Sequence, residues 1–178
     1  PGVYPLFPFA NPPYASRAFA YWSAAQFDAV IVTWYYKYKF NRPAVYKQDA
    51  TIVTGLAAQD LPGGVSEDAA IATVSKELLT FLFPLEAAYL DGLANTHKRS
   101  RLWAQMNTQD EIDAGTAIGK QVADKFIARA KTDAMGKAVG SPAISDSLGN
   151  VALAKFGWKW KSLESPARPA LLPLFGNV

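Results

Sequence analysis

The feature that most constrains this chain is a long, predominantly apolar segment near its N-terminus that has no helix breaker. Residues 14–42 contain neither glycine nor proline, and prolines bound the run on both sides. Proline suits the first turn of a helix, and the residue before a proline disfavours helical geometry. The pattern predicts one long helix from about Tyr14 to Tyr38, ended by Asn41-Arg42-Pro43. Because apolar residues occupy nearly all of its faces, we expect this helix to be central in a bundle.

The same region raises the alternative of a membrane helix. Residues 18–36 are long enough to span a bilayer, but Gln26 and Asp28 lie at the middle of the run. A carboxylate is costly in lipid, so the sequence favours a buried bundle helix and no membrane span. Asp28 is then expected to bond to an arginine or to backbone N–H groups. The aromatic residues are more typical of a core than of a substrate box: Trp22, Trp34, Tyr35, Tyr36, Tyr38 and Phe40.

Composition excludes several classes of protein. Half of the 178 residues are hydrophobic and 13% are aromatic, which argues against disorder. Lys and Arg number 18 against 15 Asp and Glu, and the basic residues are scattered, so no stripe indicates nucleic-acid binding. The absence of cysteine excludes disulfides and thiolate metal sites, and we predict no metal site.

Three further helices are predicted from caps and spacing. Ser66, followed by two carboxylates, suits the start of a second helix that ends at about Phe83. A third helix is expected at about 84–105. The residues Thr108-Gln-Asp-Glu111 form a capping box that opens a fourth helix at about 109–134. Two glycines of that helix, four residues apart, predict close helix packing: Gly115 and Gly119.

The fold class is therefore all-α, a bundle of about four to six helices with long Pro/Gly-rich loops and extended terminal arms. We expect a single helical domain over 1–178, with an extended arm at 1–13, the bundle at 14–135 and an irregular Trp/Pro-rich tail at 136–178. The loop at 43–65 is expected to hold a short helix near 51–59. The apolar, Pro-rich ends suggest a fragment or processed half of a longer protein, and no signal peptide is visible.

Three segments place basic or hydroxyl groups at a helix end or turn. The first, 34–43, contains Lys37, Lys39 and Arg42. The second contains Ser66 at a helix N-terminus with free N–H groups, and the third, 98–115, contains Ser100, Arg101 and Asn107. Cations and a helix N-terminus that converge would form an oxyanion site.

In this order and at about these distances, the three segments resemble the signature of the type 2 phosphatidic acid phosphatase and vanadium-dependent haloperoxidase superfamily. That signature reads K-x6-R-P, then P-S-G-H, then S-R-x5-H-x3-D. Residues 16–43 also resemble the leading helix of the bacterial haloperoxidase-like branch, and the tail 158–178 resembles its Trp/Pro-rich segment. The resemblance covers nearly the whole chain and implies a helical fold, bound phosphate or vanadate, and a periplasmic or secreted location.

The resemblance carries over to individual residues. Asp68 stands where the first histidine, an acid–base group, would be, and is the candidate catalytic residue. Asn107 stands where the second histidine would be, six residues after Arg101. The candidate phosphate- or vanadate-binding set implied by the resemblance is Lys37, Arg42, Ser66, Arg101 and Asn107.

The departures from the signature matter for chemistry. Four residues rather than six separate Lys37 from Arg42, and Val65 replaces the proline. Asn107 has no basic nitrogen to attack phosphorus or to ligate vanadium. Asp68 is able to exchange protons, but together with Glu67, which replaces the glycine, it would repel a trianion. If Lys37, Arg42 and Arg101 face Asp28, Glu67 and Asp68, internal ion pairs replace the ligand. The single histidine, His97, lies outside the motif and is expected to be partly exposed near a helix end.

Three functions remain open at this point. The first is a non-catalytic N-terminal half that supports a phosphate- or vanadate-binding site in a following half, its partner being that C-terminal half or a second copy of the chain. This role predicts an exposed apolar surface. The second is an active phosphatase or haloperoxidase that uses the residues here. The third is a non-enzymatic binding or structural module.

Overall fold

The computed structural model describes residues 11–167 and 169–178, and within these ranges the chain is helical with no strand. The predicted all-α fold is confirmed. In the described part of the chain, no helix is both long enough and apolar enough to cross a membrane. The helices are α1 Pro12–Phe40, α2 Val45–Gln48, α3 Glu67–Leu82, α4 Ala87–Trp103, α5 Gln109–Ala130 and α6 Pro142–Phe156, with 3-10 turns at Pro84–Glu86, Met135–Lys137 and Phe175–Asn177.

The chain consists of two compact units, and the boundary between them lies between Ala128 and Arg129. In the first unit α3 is the central helix, because it contacts α1, α4 and α5. The expectation that α1 would be central is therefore wrong. The apolar core of this unit consists of Ala25, Ala29, Ala70, Val74, Leu78, Val122 and Ala123.

The long helix α1 buries one face only. Its buried residues, Ala25, Ala29, Thr33 and Lys37, recur every four positions and face α3. Asp28 is exposed and has no bonding partner among the described residues, so the predicted internal bond is absent. The predicted aromatic core is also wrong, since these side chains are exposed: Trp34, Tyr35, Tyr36, Tyr38 and Phe40. Trp22 alone of that set is half-buried, and its indole N–H donates to Ser75 Oγ at 3.0 Å.

The predicted helix starts at Ser66 and Thr108 are confirmed by hydrogen bonds. Ser66 Oγ accepts from the Ala69 N–H at 3.2 Å. The Glu111 N–H donates to Thr108 Oγ1 at 3.3 Å, and the Glu111 carboxylate accepts from the Thr108 N–H at 3.1 Å. Reciprocal bonds of this kind satisfy N–H groups that have no partner inside the helix.

The two glycines of α5 allow close contact with α3, as predicted. A Cβ atom at Gly115 would lie 2.1 Å from the Ser66 carbonyl oxygen, and one at Gly119 would lie 2.5 Å from the Ala70 carbonyl oxygen. Only glycine permits this approach of the two backbones. The contact fixes the N-terminus of α3 against α5.

Several boundaries differ from the predicted ones. The short helix of the 43–65 loop lies at Val45–Gln48 rather than near 51–59, and the helix predicted from 84 begins with a 3-10 turn. The predicted arm at 1–13 lies outside the described residues except at its end, where Asn11 Oδ1 caps α1 by accepting from the Tyr14 N–H at 3.2 Å.

The second unit contains a helix that the sequence analysis missed. Ser141 Oγ accepts from the Ile144 N–H at 3.3 Å, and Pro142 occupies the first turn of α6. Gly157 ends the helix with a φ of +74°, a left-handed geometry that suits glycine. Residues 136–178 are therefore not irregular throughout.

Candidate functional site

The three motif segments meet at a crevice beside the N-terminus of α3. The end of α1, the 43–65 loop and the connection between α4 and α5 form its other walls. Four of the six predicted site residues line it: Lys37, Asp68, Arg101 and Asn107. Glu67 also lines the crevice, so the carboxylates of Glu67 and Asp68 lie beside Lys37 and Arg101.

Lys37 is neutralised by Glu67 across the α1–α3 contact. The Lys37 ammonium nitrogen lies 2.5 Å from Glu67 Oε2, and the two side chains are 6% and 20% exposed. Lys37 lies on the buried face of α1, where a charge without a partner would be unfavourable. Glu67 is the first residue of α3, where the helix N-terminus also favours a negative charge. The pair links α1 to α3 and compensates the charge of the buried ammonium.

Arg101 is neutralised by Asp68, which also contacts His97. Arg101 Nε lies 2.9 Å from Asp68 Oδ2 without the alignment of a hydrogen bond, and His97 Nε2 lies 3.2 Å from Asp68 Oδ1. His97 and Arg101 are four residues apart on α4 and therefore share a face. His97 was not among the predicted site residues. The signal that could have placed it is this four-residue spacing to Arg101.

Ser66 and Asn107 make only internal bonds. The Ser66 side chain is fully buried, and its hydroxyl accepts from the Ala69 N–H and lies 3.4 Å from Asn107 Oδ1. The Asn107 amide nitrogen donates to Glu111 Oε2 at 2.9 Å. The two residues therefore brace the start of α3 against the start of α5.

Glu111 organises this bracing, although the sequence indicated only its role in the capping box. Its carboxylate accepts from the Gly64 N–H at 2.5 Å, in addition to the bonds from Asn107 and Thr108. Its carbonyl oxygen accepts from the Ser66 N–H at 3.0 Å. The Glu111 side chain is buried, and its carboxylate places a negative charge at the glycine turn that precedes α3.

Arg42 differs from the other two cations. Its side chain is exposed, and its carbonyl oxygen accepts from the Gly63 N–H at 2.8 Å. Across residues 11–167 and 169–178 no carboxylate forms an ion pair with its guanidinium. Lys39 is not among the residues that line the crevice, and its ammonium lies 5.4 Å from the centroid of the Tyr35 ring.

The crevice is small and has charged side chains of both signs in its lining. Its volume of about 20 Å³ corresponds to a single water molecule. The Glu67 and Asp68 side chains line the crevice together with Lys37 and Arg101. Within the described ranges, no group of three or more His, Asp or Glu side chains is arranged to hold a metal ion.

Comparison of the chain with protein families, with curated proteins and with solved structures finds no match.

Proposed function

We propose that this chain is a non-catalytic helical half of a haloperoxidase- or acid-phosphatase-like protein. In this role it supports a phosphate- or vanadate-binding active site that lies in another half. One observation carries the proposal: Lys37 pairs with Glu67 and Arg101 pairs with Asp68. Two of the three cations at signature positions are thus neutralised by Glu67 and Asp68, which stand at two of the positions where the chain departs from the signature.

The chemistry of the crevice residues favours a non-catalytic role for this chain over a catalytic one. Asn107, at the position of the second signature histidine, provides no nucleophile or vanadium ligand. A carboxylate of the chain itself pairs with Lys37 and another pairs with Arg101, so the charges of these two cations are compensated without a bound anion. By resemblance to the bacterial relatives, the proposal includes export to the periplasm or the medium.

Calorimetric titration with orthovanadate and with phosphate tests this proposal. We expect no detectable heat for the wild-type chain at millimolar anion. The double variant Glu67→Gln/Asp68→Asn frees both cations without a large change in volume, and we expect weak millimolar binding that a further Arg101→Ala change removes. Micromolar binding by the wild-type chain, lost in Arg101→Ala alone, would show a working anion site and overturn the proposal.

A second candidate is an enzyme that uses the residues present here. The observation that favours it is the contact between Asp68 and His97, since a carboxylate beside an imidazole is a common acid–base pair. This candidate predicts hydrolysis of a chromogenic phosphate ester that falls to background in both His97→Ala and Arg101→Ala. Equal background rates in the wild type and in both variants would eliminate it.

A further inference from the structure

The exposed side of α1 carries a regular apolar stripe. Its members alternate spacings of four and three residues along the helix, which is the heptad spacing of a coiled-coil seam. At 1.5 Å per residue the stripe is about 27 Å long. It lies on the side of α1 opposite the face that packs on α3. We call it the outer stripe, and it consists of Ala20, Ala24, Phe27, Ile31, Trp34 and Tyr38.

All six positions of the outer stripe are uncharged and exposed. Phe27 is 66% exposed and Tyr38 is 56% exposed, and both are large side chains. With the flanking Tyr35, the stripe presents roughly 500 Å² of apolar surface per chain, since an aromatic side chain buries about 150–250 Å² in full. A patch of this size on one helix indicates an interaction surface.

The order of side-chain sizes along the stripe indicates the partner. The N-terminal end has two alanines, the C-terminal end has Trp34 and Tyr38, and Phe27 and Ile31 lie between. An antiparallel copy of the same helix would place Ala20 opposite Tyr38, Ala24 opposite Trp34, and Phe27 opposite Ile31. Each layer at the two ends would then combine a small and a large side chain. A parallel pair would instead place alanine against alanine and tryptophan against tryptophan, which leaves a gap at one end and crowding at the other.

We propose that the outer stripe binds a second copy of this chain in an antiparallel, two-fold symmetric helix pair. A two-fold interface requires a self-complementary surface, and the size order of the stripe meets that requirement. Two copies would bury about 1,000 Å² in total, which is the size at which specific interfaces begin. This inference does not rest on the proposed function, because the crevice and the outer stripe use different faces of α1.

Sedimentation equilibrium of the full chain provides the first test. We expect a monomer–dimer equilibrium with a dissociation constant in the micromolar range. Ile31→Glu places a charge in the middle layer and should raise that constant by about tenfold or more. The matched control is Leu85→Glu, at a side chain that is 93% exposed outside the stripe. A wild-type chain that stays monomeric at millimolar concentration, or equal weakening by both variants, overturns the proposal.

Disulfide trapping tests the orientation, because the chain has no cysteine of its own. Single variants Ala24→Cys and Trp34→Cys are oxidised separately and as a mixture. The antiparallel pair predicts a cross-linked dimer chiefly in the mixture, since residue 24 faces residue 34 of the other copy. Efficient cross-linking of Ala24→Cys alone, or none in the mixture, contradicts the antiparallel pair. Circular dichroism of each variant verifies that the helical content is retained.

Discussion

The carboxylate of Glu111 accepts a hydrogen bond from the backbone N–H of Gly64, 47 residues earlier in the chain. The same carboxylate accepts from the Thr108 N–H and from the Asn107 amide. One side chain therefore caps α5 and also fixes the glycine turn that leads into α3. Because the Glu111 side chain is buried, each of these donors would lose its partner if the carboxylate were removed.

Replacing Glu111 by alanine should lower the free energy of unfolding by about 2–4 kcal/mol, since donors to a charged acceptor would be left unsatisfied. Urea denaturation of both proteins measures the difference. The control is Asp110→Ala, an exposed acidic residue of the same helical turn, for which we expect a loss of about 1 kcal/mol or less. Equal losses in the two variants would show that Glu111 acts only through the helix dipole.

Alanine at Gly115 should destabilise the protein by several kcal/mol, because its Cβ would lie 2.1 Å from the Ser66 carbonyl oxygen. Relief of that clash requires α3 and α5 to separate. At Gly92 on α4 nothing lies within 4 Å of the added Cβ, so Gly92→Ala should stabilise the helix by about 0.5–1 kcal/mol. Thermal unfolding gives the melting temperature of each variant for comparison with the wild type. A melting temperature for Gly115→Ala equal to that of the wild type would refute the close packing.

Glu67→Gln should be more destabilising than Lys37→Met. The first change leaves an ammonium without its partner on the buried face of α1, which costs about 3–5 kcal/mol. The double variant Lys37→Met/Glu67→Gln should recover part of that loss, with a coupling of about 1–3 kcal/mol in the double-mutant cycle. The exposed pair Lys120 and Asp124 provides the control cycle, with an expected coupling of about 0.5 kcal/mol or less. Additive effects at Lys37 and Glu67 would contradict the pairing.

A hydrogen bond from the Lys47 ammonium, together with its charge, lowers the pKa of Asp60. Lys47 Nζ lies 2.5 Å from Asp60 Oδ1, and both side chains belong to the 43–65 loop. A lowered pKa in the folded state means that the contribution to stability is fully present above the ordinary pKa of Asp60. This contribution to stability is lost as the pH falls through the pKa that Asp60 has in the folded state. Carboxyl titration by NMR should show the pKa of Asp60 rising to its ordinary range in Lys47→Met.

Asp49 is the internal control for this titration. Its pKa is lowered by hydrogen bonds from the Thr51 hydroxyl and the Thr51 N–H. Neither bond involves Lys47, so the pKa of Asp49 should be the same in the wild type and in Lys47→Met. If the pKa values of both residues rose together, a general change in the loop would explain the result better than loss of the ion pair.

Local signals in the sequence were sufficient to predict where most of the helices begin. Ser66 and the pair Thr108 and Glu111 cap their helices through bonds that span three residues, so the spacing alone predicts them. The spacing of Gly115 and Gly119 likewise predicted a close helix contact. The signal for α6 was equally local, with Ser141 and Pro142 at its start and Gly157 at its end, but the surrounding Gly, Pro and Ser residues obscured it.

The sequence by itself determined where most of the helices begin. The tertiary structure decided which face of α1 is buried, because both faces are apolar and only the packing of α3 selects one. It also decided that Lys37 meets Glu67 and that Arg101 meets Asp68. These partners are about 30 residues apart, so no local spacing specifies their contact, and the pairs exist only because α1, α3 and α4 converge at one crevice.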